Sequence, residues 1–166
     1  MPHAKAFVLA LAGAALLAGS AAAQSGKDPR DFMRDALQGD NSEVRLGALA
    51  AAQGASPEAR RFGRMLQTDH ARAKQQALPV ARRLGLRPTP EMAPEARDEL
   101  QKLRGMRGRD FDREFARYMV DDHQKDIAEF RDQSQGRGPT ARLAAKTLPA
   151  LEHHLQMAQD LQRRAG

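Results

Sequence analysis

Residues 110–133 read DFDREFARYMVDDHQKDIAEFRDQ, and the spacing of their apolar side chains decides the fold class. Apolar residues return at every third or fourth position, which is the period of one face of an α-helix. A single polar residue, His123, interrupts the apolar face that Ala116, Met119, Ile127 and Phe130 form. The pattern therefore predicts a long amphipathic helix with one histidine on its core-facing side.

The composition of the whole chain favours helices. The 166 residues include 27 Lys and Arg, 21 Asp and Glu, no Cys and no Trp, and only 4% are aromatic. Beyond the N-terminal stretch, the β-branched apolar residues number four, namely Val44, Val80, Val120 and Ile127. Ala, Leu, Arg, Gln and Glu dominate instead, and these residues favour helix. The composition excludes a β-sandwich, a β-barrel and a Rossmann sheet.

Proline and glycine divide the chain into helices. Asp28-Pro29 and Ser56-Pro57 are typical of helix starts, because Asp and Ser cap free N–H groups and proline fits the first turn. Asp110 is the predicted cap of the third long helix. The predicted helices cover about 29–53, 57–84, 95–105, 110–133 and 140–164. Their lengths and short connections predict an all-α, antiparallel four-helix bundle with a short extra helix between helices two and three.

Two segments of the chain are similar to each other. Residues 62–70 and 115–123 share Phe, Arg, Asp and His at identical spacing. A repeated half-bundle, in which helices two and three are equivalent, would explain the similarity. Chance matches in a biased composition are the alternative.

The first 23 residues have the pattern of a secretory signal peptide. A short basic start at 1–5 precedes an apolar run at 6–18 that is too short to span a membrane, and small residues at 21–23 suit cleavage. We therefore expect cleavage near Ala23, a mature domain of residues 24–166 and a periplasmic or secreted location. The mature chain contains no predicted transmembrane segment and, without cysteine, no disulfide.

Each long helix carries one titratable residue on its apolar stripe. These residues are Glu43, His70, His123 and His154. Because isolated buried charges are unfavourable, one carboxylate and three imidazoles would satisfy each other best around one transition-metal ion, such as zinc, copper or iron. The alternative is a structural network in which Glu43 hydrogen-bonds a histidine.

The acids that precede two of these histidines also have two interpretations. Asp69 and Asp122 point about 100° away from the next residue, so they are poor co-ligands for the same ion. They could instead orient imidazoles of other helices, or they could be surface acids paired with Arg or Lys. His153 lies one step off the stripe and is predicted either to flank it or to be exposed.

The order of the motifs resembles a known family. The chain carries SEVRLG at 42–47, FGRMLQTDH at 62–70, FDREFARYMVDDH at 111–123 and TLPALEHHL at 147–155. This order is similar to the bacterial exported family known as domain of unknown function 4142. The resemblance implies a ferritin-like four-helix fold, and its matching positions are Glu43, His70, His123 and His154.

The chain departs from the pattern of di-iron enzymes with this fold, which use Glu-x-x-His motifs. The residues three positions before the stripe histidines are Gln67, Val120 and Leu151. We therefore expect a single ion rather than a carboxylate-bridged di-iron centre.

Two classes of function remain open at the level of the sequence. The first is an exported bundle that binds one metal ion. The second is a non-catalytic interaction or stress-related module of the cell envelope, which would bind anionic polymers through arginine pairs such as Arg82-Arg83. We expect neither nucleic-acid binding, because the chain is predicted to be exported, nor enzymatic activity, because no serine lies in a G-x-S-x-G context.

Overall fold

The computed structural model of the chain describes residues 26–166, so the predicted signal peptide lies outside the described residues. The helices are α1 (Pro29–Gln53), α2 (Pro57–Arg83), α3 (Pro94–Arg104), α4 (Gly108–Ser134) and α5 (Gly138–Ala165). Within residues 26–166 there is no strand. The prediction of an all-α bundle with a short extra helix is confirmed.

The first two helices begin where the sequence predicts. The Asp28 side chain accepts a hydrogen bond from the Arg30 N–H at 2.8 Å, and Pro29 occupies the first helical position. The Ser56 hydroxyl accepts one from the Ala59 N–H at 3.1 Å. Both side chains satisfy N–H groups that have no partner within the helix.

The prediction that Asp110 caps the third long helix is wrong. This helix, α4, begins at Gly108, and Asp110 lies in its first turn. Gly108 has a φ of 63°, a conformation that favours glycine, and the chain therefore turns into the helix before it reaches Asp110. Gly138, with a φ of 89°, likewise begins α5 two residues before the predicted start.

The long helices form two hairpins. Helices α1 and α2 form one hairpin, and α4 and α5 form the other. Within each hairpin the two helices pack along their length and are joined by three residues. The hairpins meet mainly through α2 and α5, while α3 packs against α1 and α4. This is the antiparallel arrangement that short connections favour.

Two glycines allow α1 and α2 to touch through their backbones. A Cβ atom placed on Gly63 would lie 2.5 Å from the Ala51 nitrogen and 2.6 Å from the Gly47 oxygen. A Cβ atom on Gly47 would lie 2.6 Å from the Gly63 oxygen. No side chain fits at either position, so glycine sets the separation of these helices.

The connection between α2 and α3 is fixed to the first hairpin by buried polar residues. The Asn41 amide donates to the carbonyl oxygens of Thr89 and Glu91 at 2.9 and 2.8 Å. The Ser42 hydroxyl accepts from the Ala93 N–H at 3.0 Å. The burial of Asn41 and Ser42 is therefore explained by this connection rather than by the core.

The apolar core consists of two clusters separated along the bundle. One cluster contains Phe62, Phe115 and their neighbours, and the other contains Phe32, Met33 and theirs. Along every long helix, the stripe residue that the sequence singles out lies between these clusters or at the edge of one of them. The four are Glu43, His70, His123 and His154. A buried polar layer thus crosses the bundle near mid-height.

Among the described helices, none has an apolar stretch long enough to cross a membrane.

Candidate metal centre

Three histidines from three helices meet in the polar layer. The ring centroids of His70 and His123 are 5.9 Å apart, those of His70 and His154 are 5.3 Å apart, and those of His123 and His154 are 5.5 Å apart. One ring nitrogen of each lies within 4.8 Å of a ring nitrogen of the other two. All three side chains are buried, and we call this set the histidine triad.

One nitrogen of each ring is engaged by a neighbouring oxygen. His70 Nδ1 lies 3.0 Å from Asp40 Oδ1, and His154 Nε2 lies 3.1 Å from Asp69 Oδ2. His123 Nδ1 lies 3.1 Å from the Met119 carbonyl oxygen. Because a carbonyl can only accept, His123 Nδ1 carries the proton and its Nε2 carries a lone pair. The two carboxylates favour the same arrangement in the other rings.

The remaining nitrogens of the triad have no hydrogen-bond partner among the described residues. They are His70 Nε2, His123 Nε2 and His154 Nδ1. An arrangement of three buried ring nitrogens without hydrogen-bond partners is unfavourable. The same arrangement suits a metal ion, because an imidazole that donates one N–H to an acceptor is held in the orientation that offers its other nitrogen as a ligand.

Burial favours the neutral form of two rings of the triad, His123 and His154. The pKa of His123 lies well below its usual range because of burial, with further lowering by His70 and His154. Burial and the neighbouring His70 lower the pKa of His154 to about 4, although the hydrogen bond to Asp69 opposes this shift. Neutral imidazole is the form that binds metal, so both rings are ready ligands at pH 7.

Acidic side chains border the triad on the side of His123. Glu43 and Asp122 each offer an oxygen within 4.8 Å of a His123 ring nitrogen, and Glu43 Oε2 has no hydrogen-bond partner among the described residues. The pKa of Glu43 lies well above its usual range because of burial and because of the nearby Asp122, Asp126 and Asp40. The pKa values of Asp122 and Asp126 are raised in the same direction, mainly by burial.

The sequence-predicted residues thus fall into two subsets. The three histidines form one compact set, whereas Glu43 lies with Asp122 beside His123. Glu43 shares a group of potential ligand atoms within 4.8 Å of one another with Asp122 and His123. His70 and His154 are not in this group. His153 is exposed, which is one of the two predictions for it.

Sequence reasoning missed Asp40 and left the role of Asp69 open. Asp40 lies three residues before Glu43 and four after Ala36, so it shares the face of the helix on which Glu43 was found. A wider stripe would have included it. Asp69 has both of the roles considered for it, because one of its oxygens contacts the imidazole of His154 on another helix and the other lies 3.7 Å from Arg72.

The similar segments 62–70 and 115–123 face each other across the bundle. The rings of Phe62 and Phe115 are 5.8 Å apart, and those of His70 and His123 are 5.9 Å apart. Two of the shared positions therefore meet in pairs, one in the apolar core and one in the triad.

The fold has a counterpart among solved structures. The chain is similar to the crystal structure of a DUF305 fragment from Deinococcus radiodurans, with 20% sequence identity and a TM-score of 0.72. The similarity covers 82% of this chain and 95% of that fragment. At this identity the likeness shows a shared fold.

The sequence itself has a family match. None of the curated proteins compared with the chain is significantly similar to it. The model of the family described as Domain of unknown function (DUF4142) matches residues 14–161. Because this match covers most of the sequence, the chain belongs to the DUF4142 family.

Proposed function

We propose that the chain binds one divalent transition-metal ion through His70, His123 and His154. Two observations carry the proposal: one ring nitrogen from each histidine lies within 4.8 Å of one from each of the others, and each ring has one buried nitrogen without a hydrogen-bond partner among the described residues. Imidazole ligands suit zinc, copper and iron. Glu43 is the candidate for a further ligand or for a proton acceptor beside the ion. The role that fits such a site is storage or delivery of the ion.

The proposal includes export of the protein. It is supported by the basic start, the apolar run and the small residues that end at Ala23. N-terminal sequencing of the protein isolated from a bacterial periplasmic fraction should give Gln24 as the first residue. Recovery of the chain with Met1 in the cytoplasm would contradict export and leave the metal proposal unaffected.

Metal content tests the site directly. Purified residues 24–166 would be incubated separately with zinc, copper, iron and manganese, dialysed, and measured by elemental mass spectrometry. We expect about one ion per chain, because three imidazoles that converge on one point form one site. The ion retained in the largest amount identifies the metal.

The variants His70→Gln, His123→Gln and His154→Gln should lose the ion while circular dichroism still reports a helical fold. His153→Gln is the matched control, because His153 is adjacent in sequence but exposed. Equal loss in the His153 variant would assign the ion to the surface. The absence of any ion in the unmodified protein would make the triad a structural polar network.

A second candidate function is binding to anionic polymers of the cell envelope. It is supported by exposed arginines that form no ion pair with the described residues, among them Arg61, Arg82, Arg83 and Arg164. Sedimentation with lipopolysaccharide should persist at physiological salt if the binding is specific. Loss at modest salt would reduce it to nonspecific charge attraction.

A further inference from the structure

A small cavity leads from the surface toward His70. Its volume is about 50 Å³, which exceeds what one water molecule or one metal ion needs. Its lining includes Asp35, Gly39, Asp40, His70, Asp126 and Glu129. Asp40 and His70 are buried, whereas the Asp35 and Glu129 side chains are 45% and 37% exposed. The cavity therefore has a solvent-side mouth and an inner end at the triad.

Gly39 keeps this cavity open. A Cβ atom built on Gly39 would meet no heavy atom within 4 Å. Gly47 of the same helix and Gly63 of α2 differ, because a Cβ atom on either would collide with backbone. Close packing of helices therefore does not require glycine at position 39. Glycine also costs about 1 kcal/mol relative to alanine in a helix interior, so its presence there has another consequence. That consequence is free space beside His70.

The lining of the cavity is acidic, and one lysine spans its mouth. Four carboxyl groups line the cavity, at Asp35, Asp40, Asp126 and Glu129. The Lys27 ammonium donates hydrogen bonds to the Asp35 and Glu129 carboxylates, the latter at 3.1 Å. Acidic walls raise the local concentration of cations, whereas an ammonium at the entrance opposes their approach.

A larger groove at the other end of the triad does not offer the same route. It lies between the N-terminal part of α2 and the C-terminal part of α5, with Phe62 and Met157 in its lining. The buried Phe62 ring lines this groove, and its centroid is 6.5 Å from that of His154, whereas no residue of the triad lines the groove. His70, in contrast, is itself part of the wall of the small cavity.

We propose that the cavity beside Gly39 is the path by which a divalent cation reaches the triad, and that Lys27 restricts entry by bridging Asp35 and Glu129. The inference rests on the proposed function, because it concerns access to the same site. It concerns the rate of loading, while the proposed function concerns the ion bound at equilibrium.

The test measures the rate of metal uptake by stopped-flow mixing of metal-free protein with zinc, and separately measures the zinc bound at equilibrium. Gly39→Leu should slow uptake roughly tenfold or more, because a filled path leaves only transient opening of the helices. Gly39→Ala, which leaves most of the space free, should load nearly as fast as the unmodified chain. Gln156→Leu, in the larger groove, is the control and should load at the unmodified rate.

Variants at the mouth provide an independent test with opposite signs. Asp35→Asn should slow uptake by about twofold to tenfold at low salt, and Lys27→Met should accelerate it by a similar factor. Both effects should decrease as salt is added. Neither residue touches the triad, so zinc bound at equilibrium should stay near one ion per chain.

The outcomes separate the two proposals. Uptake by Gly39→Leu at the unmodified rate, or changes of the same sign in the Asp35 and Lys27 variants, would overturn the entry path while the metal site stands. If Gly39→Leu no longer binds zinc at equilibrium, its uptake rate is uninformative, and the uptake rates of Asp35→Asn and Lys27→Met test the entry path instead. Absence of zinc from the unmodified protein at equilibrium would overturn the proposed function and the entry path with it.

Discussion

Asp69 and His154 are 85 positions apart in the sequence, yet His154 Nε2 and Asp69 Oδ2 lie 3.1 Å apart. The contact joins α2 to α5 and thus links the two hairpins. It also engages Nε2 of His154 and leaves Nδ1 as the nitrogen of that ring without a hydrogen-bond partner among the described residues.

Replacement of Asp69 should weaken metal binding without removing the site. We expect Asp69→Ala to reduce the affinity for the ion by about 10-fold to 100-fold, because the imidazole loses the acceptor that orients it. Competition with a chelator of known affinity would measure the change. Asp121→Ala is the control, because Asp121 is exposed and pairs with Arg117. An unchanged affinity in the Asp69 variant would contradict the role of Asp69 in orienting the His154 ring.

The metal-free protein should become less stable in acid through His154. The pKa of His154 is about 4 in the folded chain, below the ordinary value of 6.5 that applies after unfolding. The unfolded chain therefore binds the proton first as the pH falls, and stability is lost between about pH 6.5 and pH 4. The loss amounts to about 3 kcal/mol. Urea unfolding across this range should show a steeper decline for the unmodified chain than for His154→Gln, and parallel curves would contradict the shift.

Glu43 should have the opposite pH dependence. Its pKa lies well above the ordinary value of 4.5 in the folded chain, so the unfolded chain releases its proton first as the pH rises. The unmodified metal-free protein should therefore lose stability relative to Glu43→Gln as the pH increases from 4.5 to 7. Urea unfolding of both proteins at the two pH values measures this difference. A constant difference would show that Glu43 is not held in its protonated form.

Two glycines of the first hairpin should respond oppositely to the same substitution. Gly63→Ala should destabilise the fold by about 1–3 kcal/mol, because its methyl group would meet backbone atoms of α1 at 2.5–2.9 Å. Gly39→Ala should stabilise it by up to about 1 kcal/mol, since the new methyl group meets nothing within 4 Å. Thermal unfolding followed by circular dichroism compares them. Equal effects would contradict the difference in packing.

A buried carboxylate should hold the turn between α1 and α2 in place. The Asp112 oxygens accept hydrogen bonds from the N–H groups of Ala55 and Ser56, both at 2.8 Å. Asp112→Ala should lower the free energy of unfolding by about 1–3 kcal/mol, because these N–H groups lose their acceptor. Asp110→Ala is the control, since Asp110 is exposed on the same helix. Equal losses in the two variants would contradict this role.

The sequence predicts the fold well because its signals are local. Asp28 and Ser56 each bond to an N–H group two or three residues away, and the apolar period of each helix is visible within a few turns. Asp110 fails as a cap because two local signals compete. The left-handed backbone of Gly108, two residues earlier, begins the helix before the chain reaches Asp110.

The candidate site is only partly predictable from the sequence. The stripes of four helices select the histidines, but they do not give the relative heights and rotations of the helices. Those determine that the three histidines form one set while Glu43 joins Asp122 beside His123. The hydrogen-bond partners of the rings are still harder to predict from the sequence, because Asp40 and Asp69 contact imidazoles on neighbouring helices.

The division of the triad between the hairpins has a consequence for the lifetime of the protein. His70 belongs to the first hairpin, and His123 and His154 belong to the second, so a bound ion would fasten together halves that no disulfide joins. Above the dissociation constant, each tenfold increase in free ion would add about 1.4 kcal/mol of stability. A chain deprived of its ion would remain folded but would open more often along the seam between the hairpins, where proteases could cut it. Its abundance would then follow the supply of the metal.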